Sequence, residues 1–106
     1  MSSDDGVMDL NLFARLVEQK RPLWEAHGIE VEFQNGPPRD KSAAWVSCAG
    51  RSALVQLIVW TSGEADLSTA SRDSDDPPVV EHYEITSEVG LLECLDDVTM
   101  YLLTSE

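Results

Sequence analysis

Between residues 29 and 85 the chain is cut into five segments of strand length, and two of the four breaks between them are only three residues long. Residues 29–33 alternate apolar and acidic side chains, so one face is buried and the other is wet. Residues 43–49, 53–60, 64–70 and 79–85 follow as further strands. Gly50-Arg51-Ser52 and Thr61-Ser62-Gly63 leave no room for a crossover helix, so consecutive strands must run antiparallel. The stretch 35–40 reads as a turn or loop, and 72–78 as a charged, proline-ended loop.

Helical patterns flank this meander. Asp9 is a plausible N-cap, and Leu12, Phe13, Leu16, Leu23, Trp24 and His27 follow at roughly helical spacing. Gly28 suits the residue just past a helix end. Pro22 has no N–H and clashes with the preceding turn, so the pattern predicts a kink there or a second short helix. Thr86 or Ser87 caps a last helix, with Glu88 in its positive first turn and Leu91, Leu92, Leu95, Val98 and Leu102 as its apolar stripe. Both stripes need a surface, and one sheet face supplies it. The expected fold is an α+β two-layer sandwich: an antiparallel meander of about five strands with the N- and C-terminal helices on one face. Residues 1–8 are expected to be a disordered tail, and 9–104 one domain.

A chain of 106 residues fits one domain, and no apolar run approaches the roughly 18 residues of a membrane span. The acidic start, Met1-Ser2-Ser3-Asp4-Asp5-Gly6, is the reverse of a secretory leader, so the expected location is the cytoplasm. Cys48 and Cys94 agree with that and are read as buried, reduced thiols. The net charge is -13 and unevenly placed: residues 1–63 carry eight acids and six Lys/Arg, residues 64–106 twelve acids and only Arg72. Such a field repels nucleic acid and anionic lipid and steers basic partners inward.

Catalytic and metal chemistry find little footing. His27, His82, Cys48 and Cys94 make a Cys₂His₂ inventory, but no two of them have zinc-site spacing. Cys94 lies among acids and Cys48 in an apolar strand, neither setting favouring a thiolate. Counted from Asp73, a calcium loop would need Gly and a bidentate acid where Pro78 and Glu84 stand. The sequence therefore predicts no catalytic residue, no metal and no cofactor. Among the tryptophans, Trp24 and Trp45 are read as core. Trp60 is read as the exception, because it alternates against Val55, Leu57 and Val59 and so lies on the opposite face. Ringed by Glu64, Asp66, Glu81 and Tyr83, it suits an interaction surface. Asp73, Asp75 and Asp76 extend the charge, and the expected contact surface spans residues 60–84.

Four stretches carry a resemblance: Phe13…Trp24…Gly28-Ile29-Glu30-Val31, Ser42-Ala43-Ala44, Val59-Trp60-Thr61-Ser62-Gly63-Glu64-Ala65-Asp66-Leu67, and Glu81-His82-Tyr83-Glu84-Ile85. In this order the chain resembles the bacterial TriTu immunity family from about residue 10 to 103. Pro22 and Pro77-Pro78 depart from the pattern. The resemblance implies an antidote encoded beside an antibacterial toxin, a protein with no catalytic role of its own. It further implies that the toxin is an ADP-ribosyltransferase that uses NAD to modify elongation factor Tu, and that the antidote, a monomer alone, occludes its active site in a one-to-one complex. Two other readings stay open: an acidic interaction module of the secretion-chaperone or anti-repressor type with a basic partner, and a small enzyme or ligand-binding domain in which His82 would be the residue to test.

Overall fold

The computed structural model describes residues 8–36 and 42–104; the expected tail, apart from Met8, lies outside the described residues. Helix α1 (Leu10–Ala26) is followed by β1 (Glu30–Asn35), β2 (Ala43–Ala49), β3 (Ala53–Trp60), β4 (Glu64–Ser71), β5 (Val79–Glu84) and helix α2 (Glu88–Thr104). The strands form one antiparallel sheet in the order β1-β2-β3-β4-β5, so each pairs only with its neighbours in sequence. The expected α+β sandwich, with both helices at the chain ends, is the observed one.

Local chemistry fixes the boundaries. The Asp9 carboxylate accepts from the Asn11 N–H at 2.9 Å, satisfying one orphan donor of α1. Gly28, at φ +78°, adopts the left-handed conformation that ends the helix. The Ser87 hydroxyl accepts from the Gly90 N–H at 3.1 Å at the start of α2. Gly63, at φ +94°, turns β3 into β4, where its N–H bonds the Trp60 carbonyl and its own carbonyl accepts from Ile85.

Pro22 does not start a second helix: α1 is one element with Pro22 inside it. Its missing N–H deprives the Glu18 carbonyl of its helical donor. The deficit is offset by burial on either side, because Phe13, Val17 and Trp24 are fully buried and anchor both halves of the helix on one core. Arg21, next to the proline, bridges Glu18 and Glu25 on the surface and donates to the Val31 carbonyl of β1 at 3.2 Å.

The inner sheet face contributes Ala44, Val46, Cys48, Val55, Leu57, Val59, Ala65 and Leu67 to the core. The helices contribute Phe13, Leu16, Val17, Trp24, Leu91, Leu95, Val98 and Leu102. Phe13 meets Phe33 edge to face at 5.4 Å. The Trp24 indole N–H donates to the Thr99 hydroxyl at 2.9 Å, and that hydroxyl donates to the Leu95 carbonyl at 2.9 Å. This buried relay joins the two helices with each polar hydrogen satisfied. Met8 is also buried, and its N–H bonds the Thr61 carbonyl, so packing begins one residue inside the segment expected as a tail. Among the described residues no helix is long and apolar enough to cross a membrane.

Candidate protein-docking surface

Strand alternation sends every second side chain to the face that neither helix covers. Paired registers align these side chains in rows across the sheet. One row is Gln34, Trp45, Ile58, Asp66 and His82; the next is Glu32, Ser47, Gln56, Ser68 and Val80; a third is Glu30, Ala49, Leu54 and Ala70. Beyond the first row Ala43 stands opposite Trp60, and Glu64 opposite Glu84. None of the five strands contains Lys or Arg.

The face has two different halves. Trp45, Ile58 and Trp60 form a half-buried apolar ridge bordered by Glu64, Asp66 and Glu84. The other half is a hollow of about 600 Å³, floored by small side chains and flanked by Glu30 and Glu32 on the β1 side and Pro78 on the other. Leu54, 42% exposed, stands in it.

The residues expected to form one contact surface divide between this face and the other side of the sheet. Trp60, Glu64 and Asp66 lie on the open face. Glu81 and Tyr83 do not ring Trp60: they pair with Leu67 and Ala65 and therefore share the helix face. The parity could have been read from Ile85, the buried residue that alternates in step with both. Tyr83 donates to the Glu81 carboxylate at 2.9 Å, and burial together with that bond pushes its phenol above the usual range. Both line a cleft of about 510 Å³ beside α2, with Asp76, Asp97 and Tyr101. Asp73, Asp75 and Asp76 lie exposed in the β4–β5 loop, where the Ser71 and Ser74 hydroxyls accept from the Asp73 and Asp76 N–H groups at 3.2 and 3.0 Å. Arg72 holds the loop to the β2–β3 turn through the Gly50 carbonyl at 2.8 Å.

Two features of the face escaped the sequence reading. Trp45 is not a core residue like Trp24: Ala44, Val46 and Cys48 point inward, so Trp45 points out. The His82 ring Nδ1 lies 2.8 Å from the Asp66 carboxylate across the β4–β5 pair. That bond raises the His82 pKa, with the neighbouring Glu64 and Glu84 charges adding to it. A raised folded-state pKa gives a contribution to stability that is full below the unfolded histidine value and disappears as pH rises through the folded one. Asp66→Asn should therefore lower the His82 midpoint in an NMR titration, and should destabilise the protein more at pH 6 than at pH 9. An unchanged midpoint would show that the pair is not made in solution.

Burial pushes both thiols, Cys48 and Cys94, up to about 12, so neither is a thiolate at neutral pH. Among the described residues, no three His, Cys, Asp or Glu side chains are grouped to hold a metal ion. The fold and this surface define a small α+β domain with one sheet face left uncovered by its helices, an architecture suited to docking a second protein.

The chain belongs to the TriTu immunity protein family: the family model described as Immunity protein TriTu matches residues 11–101. No curated protein matched the chain. No solved structure matched it either.

Proposed function

We propose that the protein protects its host by binding a cognate antibacterial toxin in the cytoplasm, one to one, without catalysing a reaction. The toxin in this reading is an ADP-ribosyltransferase that modifies elongation factor Tu, and the bound antidote occludes its active site. Membership of an immunity family is the observation that carries the reading. The surface supports it: net charge -13, acids concentrated after residue 63, and five strands without Lys or Arg. A cleft that holds the phosphates of NAD is expected to be basic, and a one-signed antidote reaches such a cleft quickly. Trp60, Glu64 and Asp66 on the open face, Asp73, Asp75 and Asp76 in the loop, and Glu81 and Tyr83 beside α2 are the contact residues this reading offers for test. It requires no metal, cofactor, nucleic acid or membrane.

Co-expression with the toxin encoded beside it provides the test. Cells should survive, the two proteins should co-purify at equal stoichiometry, and NAD-dependent labelling of elongation factor Tu by the toxin should stop at one equivalent of antidote. Death of the cells despite soluble antidote would sink the immunity role. Survival without any labelling of elongation factor Tu would keep the role and remove the assigned toxin activity. His82→Ala should protect as well as the wild type, because the imidazole pairs with Asp66 on an open sheet face.

A further inference from the structure

We infer that the toxin is held at the small-residue hollow on the open sheet face, by a segment that places an apolar side chain against Leu54 between flanking lysine or arginine residues. The inference rests on the toxin-binding reading and assigns its site and the chemistry of the contacting segment.

Three observations converge there. The floor is low, because Ala49 and Ala70 flank Leu54 in one row across β2, β3 and β4, and small side chains let a partner approach the backbone. Leu54 is 42% exposed in a strand whose Val55, Leu57 and Val59 are all buried, so its apolar surface has no covering from either helix. The charged residues lining the hollow are the carboxylates Glu30 and Glu32. Glu32 accepts from Gln34 at 3.1 Å and remains exposed. Arg51 and Arg72 stand at the same end of the sheet and line an adjoining cleft with His27 and Gly50; it shares Glu30 and Ala49 with the hollow, which leaves Glu32 as the carboxylate that faces the hollow alone.

Charge complementarity selects the occupant. A second copy would bring Glu30 and Glu32 of each chain toward the same acidic face, within molecules of net charge -13. A basic segment with an apolar anchor meets both the hollow and its rim. The cleft beside α2 also uncovers apolar surface, at Val79, but it carries three carboxylates, Asp76, Glu81 and Asp97, whose desolvation opposes a buried apolar anchor there.

The test measures binding of the full-length antidote to the toxin polypeptide encoded beside it. Leu54→Arg puts a long cation in the hollow at an exposed position, so the fold should survive, as circular dichroism will check. It should weaken binding ~30-fold or more, mainly through faster dissociation. Glu30→Lys with Glu32→Lys should slow association ~10-fold. Asp97→Lys, in the α2 cleft, should change affinity less than ~3-fold. Wild-type affinity in folded Leu54→Arg would overturn the assignment, as would a large loss confined to Asp97→Lys. A wild-type dimer in sedimentation that Leu54→Arg dissociates would assign the hollow to a second copy and overturn it as well. Failure of the wild type to bind the toxin at all would remove the function reading itself, and this site with it.

Discussion

Trp24→Ala should lower stability by ~3–5 kcal/mol, as large buried aromatics do when truncated to alanine. Trp24 of α1 is completely buried, and its indole N–H reaches Thr99 of α2 across the helix interface. For a domain of this size that is a large part of the usual ~5–15 kcal/mol, and the melting temperature should fall by ~15 °C or more. Urea denaturation of the purified protein measures it. The companion change Thr99→Val separates packing from hydrogen bonding. It keeps the volume but strands the buried indole N–H, and should cost ~1–3 kcal/mol. Thr99→Ser keeps the acceptor and should cost less. Equal losses for Val and Ser would mean that the methyl group, not the hydroxyl, matters at this position.

Association with the toxin should slow ~10–100-fold between low and high salt while dissociation changes little, because steering by exposed charge is screened and packed contacts are not. Twelve acids against Arg72 after residue 63 make the C-terminal part of the chain the source of that field. Reversing Asp73, Asp75 and Asp76 to lysine should slow association at low salt and flatten its salt dependence. These carboxylates lie exposed in the β4–β5 loop, so the fold should tolerate the change. Stopped-flow mixing at several ionic strengths reads both effects. A rate indifferent to salt in the wild type would mean that charge keeps this protein soluble and does not guide its partner.

Much of the fold could be read locally. β2 and β3 have the expected limits because their alternation is unbroken and their ends carry turn residues: Gly50-Arg51-Ser52 between them, Thr61-Ser62-Gly63 after β3. Asp9 and Gly28 mark α1 through capping chemistry that belongs to a few adjacent atoms. The continuity of α1 through Pro22 was not legible, because what holds its two halves together is a core made by distant residues. The surface was legible in part. Trp60 followed from the buried side chains before it. Glu81 and Tyr83 were assigned by proximity in sequence, whereas their face is set by alternation through β5. The Asp66–His82 contact and the approach of Ala70 to Leu54 each depend on pairing residues 16 apart in sequence, and a linear pattern does not give that register.

The strictly sequential strand order bears on how the molecule is made. Each hairpin can close from residues already synthesised, since every strand pairs with the one before it. The Trp24–Thr99 bond is different, because it joins residues 75 positions apart and waits for the final helix. A ribosome-bound chain ending before Glu88 can thus zip up its sheet under α1, yet the part of the inner face that α2 covers, and the Trp24 indole N–H, stay without their partner until α2 emerges and docks. A helix made after the sheet locks one made before it. A chain cut before Glu88 is therefore left with an open core for proteases to find.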